Sequence, residues 1–140
     1  MALSGVTFRD ADSVTPGEYR TLRRVVGWPE PAVDDALLGS ALGSSWNVTA
    51  RTQEGRLIGL ARVLDDGALY ASIWDVLVEP AHQRGGLGTE LFARALSRVA
   101  ERSLVALVGT AAGSPLYRRA GFVPADDRST GMFRRKADQK

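Results

Sequence analysis

The chain of 140 residues reads as a mixed α/β protein, of the α+β kind, built on a central sheet. Three observations predict this. Segments with strand character and segments with helical periodicity alternate along the whole chain. One long strand, Ala68–Glu79, runs into the glycine-rich turn Gln83-Arg84-Gly85-Gly86-Leu87-Gly88 and from there into an amphipathic helix. No repeat, low-complexity block or linker breaks the pattern, so residues 1–140 are read as one domain.

The elements follow in order. Val6–Arg9 is a first short strand. Thr15-Pro16-Gly17-Glu18 is a capping box with proline at the first helical position, and opens a helix that runs to about Val26 and ends at Gly27. Asp34 or Asp35 caps a second helix to about Leu42, with Gly43 as its stop. Trp46–Thr52 and Arg56–Leu64 are strands joined at Glu54-Gly55, and Asp66-Gly67 is a hairpin signal leading into Ala68–Glu79. The helix Gly86–Arg102 carries Leu87, Leu91, Ala95 and Val99 at helical spacing. Leu104–Val108 has the unbroken apolar character of a buried strand. Ser114 caps a short helix to Ala120, with Pro115 at its first position and Gly121 as its left-handed end. One or two strands then reach Arg134, and Lys136–Lys140 reads as a frayed tail.

Composition bounds the function. A hydrophobic content of 44% and a charged content of 24% are those of a soluble globular domain. The net charge is +2, and no dense basic stripe favours nucleic acid. The absence of cysteine removes disulfides, thiolate metal ligands and a thiol nucleophile, and the single histidine, His82, cannot build a metal site alone. No long apolar run marks a signal or membrane segment at the start, so the expected place is the cytoplasm, with neither membrane nor nucleic acid as partner.

A strand, a glycine-rich turn and a helix N-terminus together offer several backbone N–H groups and the positive end of the helix dipole, a ready site for a phosphate or pyrophosphate. A P-loop would need a lysine in the turn, and none is there. A dinucleotide fingerprint would need a third glycine where Leu91 stands, in a turn near the start of a nucleotide-binding half.

The turn does fit the pattern Gln/Arg-x-x-Gly-x-Gly/Ala, and resembles the acetyl-CoA loop of the GNAT superfamily of N-acetyltransferases. Pro115-Leu116-Tyr117-Arg118-Arg119-Ala120-Gly121-Phe122 is similar to that family's x-x-Tyr-x-x-x-Gly-Phe motif. Val26-Gly27-Trp28-Pro29, Gly59-Leu60-Ala61-Arg62, Ile73-Trp74-Asp75-Val76-Leu77-Val78 and Gly131-Met132-Phe133 resemble the plant plastid-type branch, which acts on serotonin-like arylalkylamines and on protein amines.

The resemblance implies a fold with a mixed, mostly antiparallel sheet of about 6–7 strands and about 4 helices. Within it, Ala68–Glu79 and Leu104–Val108 would be a splayed parallel pair. It implies acetyl-CoA held by backbone groups of Leu77 and Val78, by the loop Gln83, Arg84, Gly85, Gly86, Leu87, Gly88 and Thr89, and by Tyr117. The Val78 N–H would polarise the acetyl carbonyl, and Tyr117 would protonate the departing thiolate. Many relatives carry an asparagine and an alanine where this chain has Thr110 and Gly113.

For the amine's base, Asp75 is the first choice, because a carboxylate within a half-buried strand is unusual; a paired structural carboxylate is the equal alternative. Asp75 and Glu79, four residues apart, would share a strand face. Trp28 and Trp74 are the candidates for binding substrate, ahead of Trp46 and Tyr19. The implied acceptor is a small primary amine, arylalkylamines included. Alternatives are a protein lysine or N-terminal amine, and a non-catalytic acetyl-CoA sensor; homodimer formation is left open.

Overall fold

The computed structural model describes residues 3–125, 128 and 130–136. They fall into two compact units, Met1–Val108 and Gly109–Lys140. The first holds a five-stranded sheet in sequence order, β1 (Thr7–Arg9), β2 (Trp46–Arg51), β3 (Leu57–Asp65), β4 (Tyr70–Val78) and β5 (Leu104–Leu107), with helices α1 (Pro16–Val26), α2 (Asp35–Gly43) and α3 (Leu87–Arg98). The second holds α4 (Ser114–Arg119). Strands β1 to β4 pair antiparallel, and β4 pairs with β5 in parallel. This is the mixed fold expected, with its parallel pair and four helices.

Local chemistry sets the helix ends. The capping box at α1 is complete, with the Glu18 N–H donating to Thr15 Oγ1 and the Thr15 N–H to Glu18 Oε1, and Gly27 closes the helix in the left-handed region. Asp34 caps α2 through its Oδ1. At α4 the cap is Gly113 and not Ser114, which becomes the first helical residue; the Thr110 carbonyl already accepts from both Gly113 and Ser114 and starts the turn one residue early.

β3 is buried along most of its length because helices cover both its faces. Leu60 joins Val14, Tyr19, Leu22, Leu38, Leu42, Leu57 and Leu77 in a core beneath α1 and α2. Gly59, facing the other way, lies under α3, where a Cβ would stand 2.8 Å from Leu91 Cδ1 and 3.2 Å from Ala50 Cβ. Leu87, Leu91, Ala95 and Val99 are all buried on that side, as their spacing predicts.

Three expectations change. The count is five strands among the described residues, below the 6–7 expected. Among the described residues after α4 none forms a strand; residues 126, 127 and 129 of the segment expected to hold one or two strands up to Arg134 lie outside the described residues, as do 137–140 of the tail. And β5 is not a buried strand, since Leu104 is 59% exposed at the outer edge of the described sheet.

Candidate functional site

β4 prepares the site. Its first four residues, Tyr70 to Ile73, pair with Leu104 to Leu107, and the strand then continues to Val78 after β5 has ended. On the other side its register against β3 shifts, because Leu60 pairs with Leu77 but Arg62 with Trp74. The extra residue sits at Asp75-Val76, and Asp75 takes φ +53, left-handed for a residue with a Cβ. This is a β-bulge placed where the parallel pairing stops. The Glu79 N–H donates to Ile58 O on β3, so the N–H of Val78, one residue earlier, is directed to the opposite, open edge.

The chain then makes one turn of 3-10 helix, Pro80–His82, and enters the glycine-rich loop. Arg84 has φ +67 and Gly86 φ +88. Gly86 is the N-cap of α3 with no side-chain cap, and the first helical bond runs from Glu90 N to Gly86 O. The N–H groups of Leu87, Gly88 and Thr89 therefore precede any intrahelical acceptor. Left-handed residues close to an uncapped helix start form a concave anion seat. Gln83 ties this loop back to the strand, its Nε2 donating to Val78 O at 3.0 Å. Gly88 lies close to β4, where a Cβ would sit 3.7 Å from Val78 Cγ2, an ordinary contact. These groups could hold a pyrophosphate such as that of acetyl-CoA, and exposed Arg84 would add positive charge beside it.

Asp75 is not a lone carboxylate. Its Oδ2 accepts from Tyr19 Oη at 2.6 Å and from Arg62 Nη1 at 2.9 Å, and its Oδ1 from Arg23 Nη1 at 3.3 Å. Burial, then the hydrogen bond to Asp75, push the Tyr19 phenol above its usual value. Of the two readings open for Asp75, the geometry displays the paired carboxylate: Tyr19, Arg23 and Arg62 occupy the oxygens a base would use. The bulge also breaks the alternation that would put Glu79 on the same face. The Glu79 carboxylate is turned to Arg56, with His82 Nδ1 at 3.7 Å.

Trp28 and Trp74 both present exposed indoles. Trp28 lies under the guanidinium of Arg23, 5.2 Å from ring centroid to Cζ, and Trp74 Nε1 donates to Ser72 Oγ at 2.7 Å, which lays the ring along β4. Trp46 stacks with Arg98, and Tyr19 is buried. The partners Arg23 and Arg62 escaped the sequence reading. A signal was present: Arg62 is a charge in an apolar strand, as Asp75 is in its neighbour, and two such charges call for each other.

In the second unit, Tyr117 lies on α4, and burial pushes its phenol above the usual value. The helix closes with Phe122 N–H on Tyr117 O and Gly121 N–H on Arg118 O, with Gly121 at φ +94. Gly113 departs from the common alanine for a visible reason: a Cβ there would stand 2.9 Å from Tyr117 Cε2. Thr110 Oγ1 accepts from the Gly113 N–H. Among the described residues no group of histidine and acidic side chains could hold a metal ion, and no helix is long and apolar enough to cross a membrane.

Comparison with known proteins gives this geometry a family. The acetyltransferase (GNAT) domain matches residues 45–124. Histone acetyltransferase TAP1 of Glycine max is 30% identical over 91% of this chain and 60% of its own length. Serotonin N-acetyltransferase 2, chloroplastic, of Oryza sativa is 33% identical over 60% of this chain and 43% of its own. The chain thus spans less than two thirds of either plant protein. A GNAT-family acetyltransferase structure from Streptococcus pneumoniae superposes with a TM-score of 0.77 at 27% identity, over 94% of this chain and 98% of that one. With more than half its length inside the domain match, this chain belongs to the GNAT acetyltransferase family.

Proposed function

We propose that the chain transfers an acetyl group from acetyl-CoA directly to a small primary amine, with arylalkylamines the first class to test. The observation that carries the reading is the end of β4, where a bulged, open-edged strand leads into an uncapped helix start with left-handed Arg84 and Gly86. Acetyl-CoA supplies the acetyl group as a thioester.

Each residue then has a task. The N–H groups from Arg84 to Thr89 hold the pyrophosphate, and Gln83 keeps that loop on the strand. The Val78 N–H donates to the acetyl oxygen, while Leu77, expected beside it at the cofactor, is turned to Leu60 on β3 and buried in the core beneath α1 and α2. Tyr117 gives its proton to the departing thiolate and recovers one from water. The ammonium loses its proton to water, since the oxygens of Asp75 are engaged by Tyr19, Arg23 and Arg62. The exposed indoles of Trp28 and Trp74 suit an aromatic acceptor, which agrees with the serotonin named for the rice relative.

A protein amine is the second reading, supported by the histone named for the soybean relative. Release of free CoA from acetyl-CoA, measured with tryptamine, serotonin, spermidine, free amino acids and a lysine peptide, tests the choice. Turnover confined to aromatic amines is expected. Turnover on the lysine peptide alone would favour the protein acceptor, and binding of acetyl-CoA with no turnover would favour a sensor.

A further inference from the structure

The loop between α1 and α2, residues 27–34, contains Pro29 and Pro31, which fix φ and supply no N–H. Its carbonyls are gripped from α1. Arg20 donates from Nη1 to Pro31 O at 3.0 Å and from Nη2 to Val33 O, and Arg23 donates from Nε and Nη2 to Pro29 O at 3.0 and 2.7 Å. Arg20 and Arg23 are three residues apart, hence on one helix face, and between them they hold the carbonyls of Pro29, Pro31 and Val33 along the loop.

Arg23 does more than grip the loop. Its remaining nitrogen, Nη1, reaches Tyr19 Oη at 3.0 Å and Asp75 Oδ1, and its flat face covers the Trp28 indole. One side chain, 17% exposed, therefore joins the bulge of β4 to the turn that carries Trp28. Asp75 is anchored independently by Arg62, which also donates from Nε to Ser45 Oγ and from Nη2 to Ala41 O at the end of α2. The bulge is the fixed post, and Arg23 is the strut.

We infer that Arg23 is a positioning residue for the amine acceptor: it sets Trp28 at a fixed place relative to the open edge of β4. The inference rests on the acetyl-transfer reading for its acceptor. A planar fork with donors on two edges and a stacking face meets all three demands together; an ammonium group meets one of them at a time.

Arg23→Lys is the test, with Arg24→Ala as control, because Arg24 pairs with the same loop only through exposed Glu30. Three quantities are measured on each protein: amide hydrogen exchange over residues 28–33, the Kd of tryptamine by calorimetry, and the Kd of acetyl-CoA. Arg23→Lys is expected to exchange these amides about 10-fold faster and to bind tryptamine on the order of 10-fold more weakly, with acetyl-CoA binding unchanged. Arg24→Ala is expected to behave as wild type. Unchanged exchange, an unchanged tryptamine Kd, or equal loss of both ligands overturns the inference. Wild-type protein that binds tryptamine but releases no CoA from acetyl-CoA in its presence defeats the transfer reading alone, while no tryptamine binding by wild type defeats the aromatic acceptor and this inference with it.

Discussion

A phenol serves as an acid only while it keeps its proton, and burial holds that of Tyr117 above its usual value of 10. Raising the pKa of an acid extends the active, protonated form to higher pH, so loss of turnover through this group lies above pH 10. Tyr117→Phe is expected to lower turnover by about 10²-fold or more while acetyl-CoA binds normally in a titration. Unchanged turnover would remove the acid role, whereas a basic limb below pH 9 that disappears in the variant would overturn the raised pKa and keep the role. Tyr117 could be singled out as a candidate because a short motif surrounds it. Asp75 was legible only as an anomaly: its partners lie 13, 52 and 56 residues away, and no glycine or proline announces the bulge. A residue with a Cβ at φ +53 is held there by its surroundings, which a linear reading does not contain.

At the scale of elements, local chemistry decided most of what could be read. The box at Thr15 and Glu18, the cap at Asp34 and the left-handed Gly27 and Gly121 are short-range devices, and each stands where the sequence places it. Ser114 failed as a cap because a longer-reaching turn from Thr110 captured the helix start. The loop before α3 separates its two glycines by role. Gly86 sits at φ +88, so Gly86→Ala carries left-handed strain of about 1–2 kcal/mol and disturbs the N–H groups of the anion seat. Gly88 is helical, and its added Cβ meets Val78 at van der Waals distance. Gly88→Ala is therefore expected to keep both melting temperature and acetyl-CoA affinity, and Gly86→Ala to lower both. Equal behaviour of the two variants in calorimetry would remove the anion seat from the loop. Gly59 is a third case, set by packing: Gly59→Val drives a branched side chain into Leu91 and Ala50, with an expected loss of about 1–3 kcal/mol in urea unfolding.

For the molecule as a whole, apolar periodicity revealed which face of α3 is buried, but not where the sheet ends. Leu104–Leu107 reads as a core strand by composition alone, and only its place at the outer edge of the described sheet leaves it half exposed. What ties distant segments together is a set of carboxylates clasped by arginines. Glu18 and Asp12 share Arg51 across 33 and 39 residues, and Asp65 meets Arg102 across 37. The Arg51 hydrogen bond lowers the Glu18 pKa. Asp12 is lowered too, because bonds from Thr49 and Arg51 outweigh its burial, and the Arg102 hydrogen bond brings Asp65 from 3.8 to about 2. A carboxyl group whose pKa is depressed by folding contributes stability that is complete above its unfolded value and is lost as pH falls through its folded one. For Asp65 that window runs from about pH 4 down to about pH 2. The melting temperature is therefore expected to fall across this window. Asp65→Asn should melt below wild type at pH 6, and the gap should shrink to a small remainder at pH 2, where about half of the wild-type carboxyls have lost their charge. A gap of the same size at both pH values would mean that the Asp65–Arg102 clasp contributes shape and packing, and no charge-dependent stability.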